Sequence, residues 1–294
     1  MCQSGAVKLY KSTADLVSLL ADDRGLGMSD RASVASTLRS TNYYRFTGYS
    51  RYFQVDPRRG DDNYLPGSTF ESIHRLMLAD DELRMRLLVP LSEVEQRVRT
   101  RFAHVSGKYL GNGSFYLKPE NHISDTAETL NRIRRVREDL QTTKHLAVAH
   151  YRNDEDVSGV PIWVAVEVLS FGKISWLIES LDRNEIRHEL ADFFSYTRAT
   201  FPRVLQSLSA LRNLCAHHGQ VWNRYLTAQC PLPLNKRDRP RNVQFNAQGL
   251  LPALLALGTL VAASSSKSQL AIVNRRLQRA DGYADGVLTP AGVR

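Results

Sequence analysis

The chain has 294 residues, a formal net charge of +9, and 17 glycines and 11 prolines. Its apolar content is ordinary for a globular protein, which excludes a wholly disordered chain, and Gly and Pro are too sparse for a collagen or low-complexity fibre. The length admits two domains or one large one with an appendage, and the basic excess favours a polyanionic partner such as nucleic acid.

In chain order, Ser12 opens a helical pattern through Leu16, Leu19 and Leu20, closed by a glycine-containing turn at residues 24–27. Ser29 and Asp30 open a second helix carrying Ala32, Val34, Ala35 and Leu38. The segment "TNYYRFTGYSRYF" then interleaves aromatics with Arg45 and Arg51. Residues 54–68 are rich in turn formers, so the expected organisation is an N-terminal helical unit (1–56), a linker (57–67), a helical core (68–280) and a flexible tail (281–294).

The longest helical pattern starts at Phe70 and runs through Ile73, Met77, Leu83, Leu87, Leu91, Val94, Val98, Phe102 and Val105, with Pro90 expected to kink or split it. Residues 126–150 read as one basic amphipathic helix containing Arg132, Arg134, Arg135 and Arg137. Pro161 suits the first position of a helix that Gly172 interrupts. Residues 201–224 read as a helix with a stripe of Val204, Leu205, Leu208, Leu211 and Cys215. A basic, proline-rich loop follows, with Lys236 and Arg237, and then two helices at 250–263 and 268–279. The fold class is all-α: a helical bundle with a small N-terminal helical unit.

The sharpest chemistry lies in "LRNLCAHHGQVWNR". Cutting a phosphodiester without metal needs a base for the 2′-hydroxyl, an acid for the leaving oxygen and a cation for the charged phosphorane. Histidine serves both proton steps, and arginine presents a permanently charged fork. Arg212, Asn213, His217 and His218 supply these types. Spacing alone is weak evidence: 39 basic residues and eight histidines in 294 positions give about one such pair by chance. A second pair, Arg99 with His104, duly occurs. On an unbroken helix Arg212 and His217 stand about 140° apart, so a working site requires curvature, a helix end near Gly219, or a second copy of the motif.

The chain resembles the Abi-like family of bacterial abortive-infection proteins. The likeness rests on "RGLGMSDRASVASTLRSTNYYRFTGYSRYF", "FESIHRLMLADDELRMRLLVPLSEVEQRVRTRFAH", "PIWVAVEVLSFGKISWLI" and "LRNLCAHHGQVWNR", in that order. It covers about three quarters of the chain, residues 8–224. The family resembles the all-α HEPN superfamily, many of whose members are metal-independent endoribonucleases with Arg, a polar residue and His four to six positions after the Arg. That resemblance implies a HEPN-like bundle and an endoribonuclease of a phage-defence or toxin–antitoxin system. It implies cleavage by 2′-hydroxyl attack at a site built from two signatures, with Arg212, Asn213 and His217 matching and His218 within range.

The second signature comes either from Arg99 and His104 in the same chain or, preferentially, from a second copy, which predicts a homodimer. The plain alternative for Arg99 is an ion pair with Glu95 one turn earlier. Arg45, Arg51, Arg132, Arg134, Arg135, Arg137, Lys236 and Arg237 are candidate RNA contacts, although the aromatics around Arg45 have core spacing. The expected partners are RNA as substrate and a restraining RNA or protein. Non-catalytic RNA binding and a protein-interaction sensor are the rival readings.

No cofactor or metal is expected. Cys215, His217, His218 and Cys230 fit no usual zinc spacing, and three cysteines, an odd number, argue against a disulfide framework. No secretory signal pattern is read at the start, and the most apolar stretch, 250–263, is short and contains Pro252. The expected location is therefore the cytoplasm, without membrane association.

Overall fold

A computed structural model describes residues 9–111, 113–153, 156–233, 244–279 and 281–291. Among these residues the fold is all-α apart from one two-stranded sheet. No helix among them is long and apolar enough to cross a membrane. The chain divides into two compact units, Met1–Leu83 with Ala291–Arg294, and Arg84–Pro290.

In the first unit, α1 (Thr13–Ser18) starts in a capping box, with Ser12 and Asp15 each accepting the other's backbone N–H. Asp30 caps α2 (Arg31–Ser40) and Asn42 caps α3 (Tyr43–Ser50). The aromatic segment supplies core: Phe46 stacks on Phe70 with centroids 4.8 Å apart, and the buried Tyr49 hydroxyl donates to Asp80 at 2.6 Å. The expected linker is instead a hairpin. Strand β1 (Gln54–Asp56) pairs antiparallel with β2 (Asp61–Tyr64), Gln54 opposite Tyr64, and Tyr64 donates to Ser50 at 2.9 Å. The units divide between Leu83 and Arg84, inside helix α4 (Phe70–Leu110), and not in residues 57–67.

Helix α4 continues through Pro90 without a break. A proline removes one backbone donor, and the buried stripe of Leu87, Leu91, Val94, Val98 and Phe102 keeps the helix packed on both sides of it. The basic helix is shorter than expected: α5 (Ala127–Thr142) ends before α6 (Leu146–Tyr151). Arg152 stitches that break by donating to the carbonyls of Leu140 and Thr143, each at 2.9 Å. A short α7 (Ile162–Ala165) is separated from α8 (Phe171–Ser180) by a turn whose last residue, Ser170, caps α8. The interruption thus falls just before Gly172.

Helix α9 (Asn184–Phe193) is amphipathic, with Ile186, Leu190 and Ala191 buried. Helix α8 packs closely on α10 (Phe201–Ala216), where Gly172 and Ser209 leave room for it: a Cβ on Gly172 would lie 3.3 Å from the Ser209 hydroxyl. Two further helices, α11 (Leu251–Leu260) and α12 (Ser264–Leu277), follow.

Residues 281–288 are not a flexible tail. Asp281 caps α13 (Gly282–Leu288), and Tyr283, Ala284 and Val287 are buried. The Trp222 indole donates to the Gly282 carbonyl at 3.2 Å, and Asn223 N–H donates to the Gly286 carbonyl at 2.8 Å. A Cβ on Gly286 would fall 2.2 Å from the Trp222 indole nitrogen, so only glycine admits that ring. Two glycines give the segment poor helix propensity, and tertiary packing overrides it.

Candidate functional site

Arg212 sits on α10 and Arg99 on α4, and one carboxylate holds both. Glu95 Oε2 is ion-paired with Arg212 Nε at 2.9 Å, and Glu95 Oε1 accepts from Arg99. The Glu95 side chain is 8% exposed and that of Arg99 15%, whereas Arg212 retains 34%. Arg99 donates further to the carbonyls of Val166 and Leu169, the latter at 2.6 Å, and so caps the turn between α7 and α8. A buried carboxylate needs such partners, because desolvating it alone is costly. The ion pair expected for Arg99 with Glu95 is present. The reach of Glu95 to Arg212 joins residues 117 positions apart, and no local spacing signals it.

The three residues line a cavity of about 230 Å³ with Ser92, Gln96, Thr100 and Glu167. Its walls combine two cations and two carboxylates. Arg212 also donates to the side-chain oxygen of its neighbour Asn213 at 3.1 Å, which fixes the guanidinium from a second direction. His104 is exposed on α4 and His217 on α10's end, and neither lines this cavity.

Helix α10 ends at Ala216, seven residues before the end of the "LRNLCAHHGQVWN" run, and both histidines lie in the closing turn. Gly219 N–H donates to the Leu214 carbonyl at 2.8 Å and His218 N–H to that of Cys215 at 3.3 Å, the bonding of a Schellman turn. His217 is the C-cap and is exposed. His218 occupies the following position with φ +56°, the left-handed conformation usually given to glycine. At Gly219 a Cβ would lie 2.3 Å from Leu214 Cδ1, so any side chain there would displace that leucine. A histidine in the left-handed conformation of residue 218 carries a backbone cost that glycine would not.

The neighbouring candidates divide. Trp222 and Asn223 are buried and hold α13, while Arg224 is exposed. Cys215 and Cys230 are both buried, and burial pushes the Cys230 thiol up to about 12, which leaves it a poor nucleophile. Arg45 is ion-paired with Asp81 at 2.6 Å, and Arg51 is exposed. On α5, Arg132 pairs with Glu128 at 2.6 Å, Arg134 pairs with Glu138, and Arg137 donates to the Leu117 carbonyl at 3.1 Å. Arg135 is exposed. Lys236 and Arg237 lie outside the described residues.

No curated protein and no solved structure matches this chain. A family model described as Abi-like protein matches residues 36–223. That span takes in α3, the hairpin and every helix from α4 to α10, and it stops one residue short of Arg224. Arg99, Glu95, Arg212 and both histidines of the closing turn fall within it. On that match, over well more than half its length, the chain belongs to the Abi-like protein family.

Proposed function

We propose that this chain is a metal-independent, HEPN-type endoribonuclease acting in abortive infection, with Arg212, Asn213 and His217 as its working residues. The observation that carries the reading is the end of α10. There a guanidinium is held from behind by the buried Glu95 and left one-third exposed, and two accessible imidazoles follow in the next turn. Membership of the Abi-like family supports the abortive-infection setting.

In this reading an imidazole takes the proton of an RNA 2′-hydroxyl, and the 2′-oxygen bonds to phosphorus. The bond from phosphorus to the 5′-oxygen breaks, and that oxygen takes a proton from a second imidazole. The products are a cyclic phosphate and a 5′-hydroxyl. The Arg212 fork steadies the extra negative charge of the phosphorane, Asn213 orients the fork, and His218 is the fallback proton carrier.

A single His217 cannot fill both proton roles at once, so the site calls for a second signature. Arg99 has its donors engaged by Glu95, Val166 and Leu169, which favours a second copy of α10 over the α4 pair. The enzyme is then a homodimer, with the partner's His217 completing the site. The exposed arginines of α5 guide the RNA strand, and a bound RNA or protein restrains the enzyme at rest.

The test is to incubate purified wild type and His217→Ala with bacterial RNA in EDTA and map the new ends. Cleavage by wild type alone, leaving cyclic phosphates and 5′-hydroxyls, is the expected result. RNA bound equally by both proteins and cut by neither, after bound nucleic acid has been stripped, would replace the enzyme with a non-catalytic binding module.

A further inference from the structure

A second concave site lies away from α10's end, in the groove between α5 and α8. It encloses about 420 Å³ and is lined by Glu128, Asn131, Arg132 and Arg135 from α5 and by Lys173 and Trp176 from α8, together with Ser170 and Gly172 at the start of α8. We propose that this groove binds the phosphate of a nucleotide, carried either by a free mononucleotide or by a single-stranded nucleic acid.

Three cations converge on it. Lys173 is set in place by Asp139 at 2.5 Å and by the Arg135 carbonyl at 2.9 Å. Arg132 is held by Glu128 at 2.6 Å and spread over the Trp176 ring, its guanidinium carbon 5.8 Å from the centroid. Arg135 is exposed, and among the described residues no side-chain partner engages its guanidinium. Its charge is therefore available to an incoming anion at no cost in broken ion pairs.

Two further features suit a nucleotide. Gly172 and Ser170 open the groove onto the first turn of α8, where the N–H groups of Phe171 and Gly172 have no intrahelical acceptor and the helix dipole favours negative charge. Trp176 lines the groove with an aromatic wall and is itself only 9% exposed. His122 stacks on the same indole at 5.2 Å and 12°, which fixes the ring. The volume lies within the range of small organic ligand sites, and so leaves room for the nucleoside beside the phosphate.

The site does not require that the protein cut RNA; it rests on the RNA reading only where the phosphate belongs to a strand. Titration of the full chain with AMP, adenosine and a short oligodeoxyadenylate, which lacks the 2′-hydroxyl and so cannot be cut, tests it. AMP or the oligonucleotide is expected to bind, with adenosine about tenfold weaker than AMP. Arg135→Ala is expected to weaken binding by about tenfold, and Lys267→Ala, an exposed lysine on α12, to change it by less than about twofold. Binding of AMP alone identifies a free nucleotide as the ligand, and binding of the oligonucleotide identifies a strand. No binding of either, equal affinity in Arg135→Ala, or an equal loss in Lys267→Ala overturns the proposal. RNA cleavage in EDTA is read in parallel. Cleavage without nucleotide binding removes the groove and leaves the nuclease, and binding without cleavage does the reverse.

Discussion

Two Arg/His pairs of identical spacing, Arg99 with His104 and Arg212 with His217, end in opposite chemical situations. The first lies within α4, where Arg99 turns inward to a buried carboxylate and two backbone carbonyls. The second lies at the end of α10, where Arg212 shares that carboxylate through one nitrogen and keeps a third of its side chain accessible. One arginine closes a structural joint between α4 and the turn before α8. The other borrows the joint as a mount. A spacing motif thus says which residues are available, and the surrounding acceptors decide whether the cation is used up by the fold.

The comparison breaks most visibly in activity. Arg212→Ala and His217→Ala are each expected to lower RNA cleavage by about 100-fold or more, as loss of a charge-stabilising or proton-transferring group does, whereas His104→Ala is expected to leave it within about twofold. Initial rates on a labelled RNA in EDTA measure this.

Stability reverses the order. Arg99→Ala removes one partner of a buried carboxylate and strands two carbonyls, for an expected loss of about 3 kcal/mol in urea unfolding. Arg212→Ala leaves Glu95 paired with Arg99 and is expected to cost about 1 kcal/mol. Equal losses would erase the distinction between joint and mount.

At the end of α10, His218→Gly relieves the left-handed backbone and is expected to raise stability by about 1 kcal/mol. If His218 carries protons, the same variant cuts RNA more slowly. A gain in stability with unchanged cleavage confines the strain to the turn.

The smallest effect concerns His122, in the buried layer behind the α5–α8 groove. Its Nε2 faces the Tyr116 carbonyl at 3.1 Å and so must donate, and its Nδ1 accepts from Ser180 at 2.9 Å, an arrangement that fits the neutral ring. Burial holds its pKa below the ordinary histidine value, against a smaller upward pull from the Tyr116 hydrogen bond. The unfolded chain then binds more protons than the folded one as pH falls through the unfolded value of about 6.5. The His122 contribution is therefore fully present above that pH and declines below it. Thermal melts should show wild type losing more stability between pH 7.5 and 5.5 than His122→Asn, by about 1 kcal/mol or less.

Much of this was legible in the sequence. Ser12 and Asp30 mark helix starts by short-range capping, and the stripes of α4 and α10 follow from helical periodicity. A helix end near Gly219 was one of three arrangements that the angle between Arg212 and His217 left open, and α10 stops at Ala216. What escaped depends on distant partners. Glu95 reaches Arg212 across the sequence, Trp222 recruits the weak helix α13, and the α5–α8 groove joins Arg135 to Trp176. Pro90 misled because local propensity counts a missing donor and not the packing that holds α4 together.

The most direct test sets the two pairs side by side. Cleavage of one labelled RNA in EDTA is measured for the double variants Arg99→Ala/His104→Ala and Arg212→Ala/His217→Ala, each normalised to its folded fraction. The account predicts that the α4 double variant, once folded, retains cleavage with cyclic-phosphate ends and that the α10 double variant has none. Cleavage that survives loss of the α10 pair, or vanishes in folded protein lacking the α4 pair, would contradict it.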